Sequence, residues 1–134
     1  MVKISANRLD METKRLERAM MKNYTEAIVS VTATTTTTLD ISQGNIFDLA
    51  QAVDITGWTI SNIPSTGQLC SITIIRTKDA TGTARAITWP ASFKWAAATA
   101  PTLTQTTGAV DIISAFTKNG GTTWYAFAGG LNMS

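Results

Sequence analysis

The strongest fold signal in this sequence is the stretch DIISAFTKNGGTTWYAFAGG, which spans residues 111–130. Apolar and polar side chains alternate in VDIISAFT (110–117) and again in TWYAFA (123–128), and this two-residue period is that of a half-buried β-strand. Between the two runs, Gly120 and Gly121 supply the backbone freedom that a tight turn needs. The stretch therefore predicts a β-hairpin whose second strand is rich in aromatic side chains.

The same period recurs along most of the chain upstream of this hairpin. Further strand candidates are EAIVSV (26–31), LDIS (39–42), NIFDLA (45–50), WTISNI (58–63), LCSITIIRT (69–77) and ARAITW (84–89). In LCSITIIRT, Cys70, Ile72 and Ile74 share one face, and the apolar character of the run predicts a central strand. Short strands at this spacing, separated by turn signals, predict a mainly β fold, an antiparallel β-sandwich or jelly roll.

Three segments interrupt this pattern. The threonine-rich run TATTTTT (32–38) is either a hinge or an edge strand. The segment KDATGT (78–83) resembles a phosphate or calcium loop only in its composition, and a hairpin turn is the interpretation that we favour. Residues 90–109 form a long, nearly uncharged segment, which we expect to lie against the domain itself or against a neighbouring subunit.

The first 26 residues follow different rules from the rest of the chain. All three Glu and six of the eleven basic residues lie there, whereas all four Trp and all four Phe come later. Residues 8–23 predict a short α-helix, because the run contains good helix formers and no Gly or Pro. We therefore divide the chain into an N-terminal helical anchor, residues 1–26, and a β-sandwich module, residues 27–134.

The predicted helix has a narrow apolar seam and is too short to be stable alone. It would therefore dock on its own β module or on a partner, and the sequence leaves these alternatives open. The candidate residues for attachment to a partner are Arg8, Leu9, Arg15, Leu16 and Met20.

The composition favours a protein that is not an enzyme. The sequence contains no His, which is the commonest general base and metal ligand, and its single cysteine, Cys70, lies in an apolar run. The Asp residues of the β module fall mostly at strand ends and turns, where solvated structural roles are usual. Asp111 lies inside a predicted strand and is either outward-facing or paired. We expect no catalytic, cofactor or metal site.

Charge and hydropathy limit the possible partners and the location of the protein. A net charge of +2 argues against a dedicated nucleic-acid binder, and no apolar run is long enough to cross a membrane. The N-terminus lacks the apolar core of a signal peptide, so we expect the chain to be made in a cytoplasm with no signal that directs its export. The 24 Thr residues and a charged fraction of only 15% suit a surface that neighbouring subunits partly cover.

Four aromatic side chains of the β module are candidates for subunit-interface or surface contacts. These candidates are Trp58, Trp95, Trp124 and Tyr125. Exposed rings stack on the C–H faces of sugars, so a carbohydrate platform is one alternative. Large rings in a β-sandwich more often fill the core or an interface, and this is the interpretation that we favour.

An ordered series of short motifs within residues 38–130 resembles a recurrent module of tailed-bacteriophage structural proteins. The motifs are Ala80-Thr81-Gly82, Thr88-Trp89-Pro90, Lys94-Trp95, the segment Thr99–Thr104, the strand start Val110–Ile112 and the hairpin Gly120–Tyr125. Asn119 stands where the family often has Asp, Ala126 where it often has Gly, and Ala96–Ala98 where glycines are common. The resemblance does not extend to the N-terminal segment.

The resemblance implies a small β-sandwich, often assembled as a homotrimer, of the kind found in tail fibres, head fibres and capsid decoration proteins. We therefore predict a capsid decoration, cement or head-fibre protein that binds the major capsid protein through its N-terminal segment. The alternative is a short tail-fibre or fibre-attachment subunit, which contacts a tail or fibre protein and binds a host-surface glycan. Either role places the protein in a virion that is assembled in the host cytoplasm.

Overall fold

A computed structural model describes residue 18 and residues 20–133, and these residues form a mainly β fold. The strands are β1 (Ile28–Thr32), β2 (Thr36–Asp40), β3 (Ile46–Gln51), β4 (Gly57–Ser61), β5 (Cys70–Lys78), β6 (Phe93–Trp95), β7 (Val110–Thr117) and β8 (Trp124–Met133). The one helical element among the described residues is a 3-10 turn, Ala96–Ala98.

The strands are divided between two sheets. A large sheet has the order β1-β3-β5-β7-β8-β6, and a small sheet pairs β2 with β4. From β1 to β5 the chain passes alternately between the sheets, so β1, β3 and β5 run parallel, as do β2 and β4. This coil-like path continues to Ile87, which forms an isolated parallel bridge with Ile55. The β7–β8 hairpin extends the large sheet through antiparallel pairs.

The two sheets supply one hydrophobic core. Phe47 and Leu49 of β3 and Ile72 and Ile74 of β5 turn inward from the large sheet. Leu39 of β2 meets them from the small sheet, and all five side chains are at most 2% exposed. Full burial of such a side chain stabilises the fold by about 1.5–3 kcal/mol, so this cluster is a main source of stability.

The hairpin predicted for residues 111–130 is confirmed. β7 and β8 pair antiparallel, with Phe116 opposite Tyr125. Gly120 and Gly121 adopt positive φ angles of 64° and 84° in the turn between them. Only glycine adopts such angles without steric cost, and a Cβ on Gly121 would also lie 2.5 Å from the Ile63 side chain.

Two further predictions agree with the structure. β5 is a central strand, flanked by β3 and β7, and its Cys70, Ile72 and Ile74 side chains are buried. The threonine run is an edge strand rather than a hinge, because Thr36–Asp40 forms β2 in the two-stranded sheet.

The predicted antiparallel arrangement is wrong, because four of the six strand pairs are parallel. Alternation shows which face a side chain occupies, but it does not show the direction of its strand. The short link Ala33–Thr35 carries the chain from β1 to the other sheet instead of folding it back beside β1. Strands that return to the same sheet after such a crossing run parallel to the strand they left.

Two local predictions are also wrong. Residues 84–89 form one isolated bridge instead of a strand, and residues 78–83 are not a hairpin turn, because β5 pairs with β7. Around residue 86, side chains form hydrogen bonds with the backbone groups that a neighbouring strand would otherwise pair. The Gln51 amide donates to the Ala86 backbone oxygen at 3.0 Å, and the Asp54 carboxylate accepts the Ala86 N–H at 3.0 Å.

The predicted N-terminal α-helix, residues 8–23, lies mostly outside the described residues. Of that span, residue 18 and residues 20–23 are described, and they are not helical. Arg18 and Asn23 have positive φ angles of 52° and 56°. A left-handed residue interrupts the i to i+4 hydrogen bonds of a helix, so the predicted helix end at residue 23 is wrong.

The long segment 90–109 lies against its own domain, one of the two alternatives left open by its sequence. Phe93 of β6 is buried in the core, and β6 pairs with β8. Ala97 and Ala98 have positive φ angles of 51° and 56°. Glycine adopts this conformation without the strain caused by a Cβ, and the module that the sequence resembles commonly has glycine at these positions.

Candidate functional site

Five rings form one aromatic cluster. Its members are Trp58, Trp89, Phe93, Trp95 and Trp124. Trp89 stacks on Trp58 with ring centroids 5.4 Å apart and on Phe93 at 5.7 Å. The ring of Trp95 meets Trp89 edge-on at 5.2 Å, and Trp124 packs on Phe93 at 6.0 Å. Such aromatic pairs contribute about 0.5–1.5 kcal/mol each beyond the effect of burial.

The aromatic cluster is buried at one end and partly open at the other. Trp124 is 1% exposed, whereas Trp58, Trp89 and Trp95 are partly exposed. Shallow clefts of about 280 Å³ beside Trp89 and about 160 Å³ between Trp58 and Trp124 adjoin the rings. The Trp58 indole N–H already donates to the Thr88 backbone oxygen at 3.1 Å. The open end can therefore offer ring faces for stacking, but not this donor.

A buried ion pair joins the two middle strands of the large sheet. Arg76 of β5 and Asp111 of β7 are opposite each other in the register, with Nη1 and Oδ2 2.8 Å apart. Both side chains are fully buried. Charged groups rarely occupy such positions, because removing them from water costs several kcal/mol per ion. Additional hydrogen bonds are needed to offset that cost.

Four hydrogen bonds of this kind connect the pair to three other parts of the chain. Arg76 donates through Nε to Oε1 of Gln51 at 2.7 Å and through Nη1 to the Thr104 backbone oxygen at 2.6 Å. Asp111 accepts the backbone N–H of Thr104 at 2.8 Å and that of Asn132 at 3.0 Å. Within the described chain, Nη2 of Arg76 has no hydrogen-bond partner. The network thus connects β3, β5, β7, β8 and the segment before β7.

A second ionic group holds residues 78–83 in place. The Lys78 side chain is buried, and its ammonium group contacts the Asp79 carboxylate and donates to the Thr81 backbone oxygen at 2.9 Å. The other oxygen of Asp79 accepts from Nη2 of Arg85 at 2.8 Å. This network, rather than a strand pair, fixes the loop that follows β5.

The carboxyl groups of both networks are held in the ionised form. Hydrogen bonds from Arg85 and Lys78 hold the pKa of Asp79 well below its usual range. Burial by itself raises the pKa of Asp111, but the backbone N–H of Asn132 and the other donors outweigh it and lower the pKa. A general acid at neutral pH needs a raised pKa, so neither carboxyl group is suited to that role.

The predicted aromatic site residues divide between two places. Trp58, Trp95 and Trp124 lie together in the aromatic cluster, whereas Tyr125 lies on the other face of the large sheet, beside Phe116. Of the predicted attachment residues, Met20 is 95% exposed. The other four lie outside the described residues: Arg8, Leu9, Arg15 and Leu16.

Sequence reasoning missed the partner of Asp111 and treated Asp79 as solvated. Of the two possibilities left open for Asp111, the structure shows that it is paired. A signal for its partner was present. Arg76 lies at an even number of residues from Cys70 and Ile72, so alternation directs it inward with them. Two charges directed inward from separate strands can be accommodated only if they pair.

The remaining features give no sign of bound metal or of a membrane segment. In the described part of the chain, no group of three His, Cys, Asp or Glu residues is placed to hold a metal ion. No helix of the residues that the structure describes is long and apolar enough to span a membrane. A cleft of about 690 Å³ adjoins Cys70, but burial raises the pKa of this thiol, which stays protonated at neutral pH.

Comparisons with known proteins add no assignment. No protein-family model, no curated protein and no solved structure matches this chain. Function is therefore argued from the residues and from their geometry.

The buried ion pair makes a testable contribution to stability. Asp111→Asn is expected to lower the free energy of unfolding by about 3–5 kcal/mol, because it leaves the Arg76 charge buried without a counter-ion. Urea denaturation followed by circular dichroism measures this change. The matched variant Glu26→Gln also removes a carboxylate, but from an exposed position, and should change the value by less than about 0.5 kcal/mol. Equal stabilities of the two variants would contradict the role given to the pair.

Proposed function

We propose that this chain is a non-enzymatic structural component of a tailed-phage virion. Its β module, residues 27–134, is a two-layer β-sandwich that assembles as a homotrimer. Residues 1–26 attach it to the particle as a capsid decoration, cement or head-fibre protein. The two-layer arrangement is supported by the single core to which both sheets contribute.

The observation that carries this proposal is that the motifs of the phage resemblance converge on the packing centres of the fold. The TWP and KW motifs supply Trp89 and Trp95 to the aromatic cluster, and the GGTTWY hairpin supplies Trp124. The backbone oxygen of Thr88, in the TWP motif, also accepts a hydrogen bond from the indole N–H of Trp58. Motif residues that pack on one another support a scaffold function rather than a catalytic one.

Two of the remaining three motifs meet at the buried ion pair, and the third, Ala80-Thr81-Gly82, lies in the exposed loop after β5. Thr104 closes the TAPTLT segment and bonds to both Arg76 and Asp111, and Asp111 belongs to the VDI motif. These residues are buried or partly buried and already bonded within the chain. They are therefore not available to a substrate, which supports a non-enzymatic role.

The segment that precedes β1 has the surface expected of an attachment region. Met20, Met21 and Tyr24 are 95%, 65% and 63% exposed, and residues 20–27 form no helix or strand. Apolar side chains that the domain leaves uncovered are commonly buried against a partner. The basic residues Arg8 and Arg15 of the same segment suit a partner surface that carries acidic groups.

Attachment can be tested by co-sedimentation of the purified protein with particles that lack it. Removal of residues 1–25 is expected to abolish binding and to leave the mass of the oligomer unchanged. A full-length variant with Arg8→Glu and Arg15→Glu tests the same segment without shortening the chain. The matched control is Lys118→Glu, an exposed charge reversal in the β module. Decoration at the wild-type level by either test variant would contradict an N-terminal anchor.

The partly exposed faces of Trp58, Trp89 and Trp95 favour a second candidate function, a short tail-fibre or fibre-attachment subunit that binds a host-surface glycan. Sugar rings present flat C–H faces to aromatic side chains. The two clefts beside the aromatic cluster, of about 280 and 160 Å³, would limit such a ligand to one or two sugar units.

A glycan array decides on this second candidate. If it is correct, the wild-type protein binds a defined glycan, and Trp95→Ala weakens binding at least about tenfold, which corresponds to about 1.4 kcal/mol. Tyr24→Ala removes an exposed aromatic side chain outside the aromatic cluster and should leave binding unchanged. An array without any bound glycan, or equal losses in both variants, would exclude glycan recognition by the cluster.

A further inference from the structure

The large sheet has an outer face, which we define as the side of its six strands that points away from the core. The strand register places Asp48 of β3, Ile75 of β5 and Ile112 of β7 side by side on this face. Phe116 of β7 and Tyr125 of β8 form a second row. A sheet face that meets water usually carries polar and charged side chains, and this one departs from that pattern.

The outer face carries an exposed aromatic and aliphatic patch and is nearly free of charge. Phe116, Tyr125 and Phe127 are 37%, 41% and 48% exposed, and the first two rings lie 5.5 Å apart. The other outward-facing strand positions are Ser, Thr, Ala, Val, Ile, Gly or Met, except for two charged residues, Asp48 and Lys94. Contiguous exposed apolar patches on proteins mark surfaces that a partner covers.

The two charges of the outer face cannot pair within one copy of the chain. Asp48 is on β3 and Lys94 on β6, which are four positions apart in the sheet. At about 4.8 Å per strand, that separation is roughly 19 Å. Both side chains are exposed, and neither forms a salt bridge within the described residues. The Lys94 ammonium donates to the Ala91 backbone oxygen at 2.9 Å, which leaves its other protons for a partner.

We propose that the outer face binds the outer face of a second copy of this chain, with Asp48 of one copy paired with Lys94 of the other. Because all copies are identical, a contact that pairs Asp48 with Lys94 requires both groups on each copy, on one shared patch in a two-fold contact or on two sides of the same face in a three-fold ring such as the proposed homotrimer. The outer face meets this condition, because it carries one carboxylate and one ammonium group at opposite sides. The aromatic side chains between them supply the apolar contact, and the ion pairs fix the register.

The size of the outer face fits this partner. Six strands about 4.8 Å apart and about six residues of 3.3 Å along each strand give a footprint of roughly 24 by 20 Å. This flat area of roughly 480 Å², to which the relief of the side chains adds, compares with the roughly 600 Å² per partner at the lower end of specific protein interfaces. The inference rests on the self-association in the proposed function, but not on a virion location.

Charge reversal tests the pairing directly. The mass of the full-length wild-type protein, measured by sedimentation velocity over a dilution series, is expected to be that of an oligomer. Asp48→Lys and Lys94→Asp should each raise the dissociation constant at least about tenfold, because each places like charges together. The double variant, Asp48→Lys with Lys94→Asp, restores opposite charges and should return the constant to within about threefold of wild type.

Two controls separate this interface from effects on folding. Lys22→Asp reverses an exposed charge in the segment before β1, outside the outer face, and should leave the dissociation constant unchanged. Phe127→Ser removes an exposed ring from the face and should weaken association while the thermal midpoint of the monomer is retained. A monomeric wild type, single reversals without effect, or a double variant as weak as the single ones would each overturn the inference. If the double variant restores association but the protein does not bind particles, only the virion assignment is contradicted, and the proposed interface stands.

Discussion

The buried ion pair between Arg76 and Asp111 is the constraint on which the rest of the fold depends. Two charges removed from water are stable only with good mutual geometry and further hydrogen bonds. Here those bonds come from Gln51, Thr104 and Asn132, which lie on β3, in the segment before β7 and on β8. The pair can form only when the parallel half of the large sheet, the long loop and the final hairpin are all in place. It therefore couples parts of the chain that are distant in sequence.

The aromatic cluster is the second centre, and it explains the pattern of motifs that resembles the phage module. Trp89 comes from the irregular segment after β5, Trp95 ends the short strand β6, and Trp124 begins the last strand. Their packing holds the segment around Trp89, whose strand pairing is a single isolated bridge, and adds to the pairing of β6 with β8. Because the motif residues serve the interior, functional differences between proteins built on such a module would arise on their surfaces. In this chain the surfaces proposed for contacts with partners are the N-terminal segment and the outer face of the large sheet.

The sequence predicted well which side chains of a strand face the core, but it predicted poorly how the strands are connected and in which direction they run. Alternation placed Cys70, Ile72 and Ile74 in the core and identified the β7–β8 hairpin, because side-chain parity depends only on local backbone geometry. Strand direction depends on whether a link such as Ala33–Thr35 stays in one sheet or crosses to the other, and local patterns do not contain that information. The ion pair joins residues 35 positions apart, so its partners could be matched only once the register of β5 and β7 was known.

Native-state hydrogen exchange of the amide protons of Thr104 and Asn132 tests the central role of the ion pair most directly. Both amides donate to Asp111, although one lies in a loop and the other near the end of the last strand. If the pair couples these parts of the chain, both protons will exchange as slowly as that of Ile74 in the central strand, through global unfolding. The account would be contradicted if the two protons exchanged as fast as the amide proton of an exposed loop residue such as Gly82. Such exchange would show local opening while β5 stays protected.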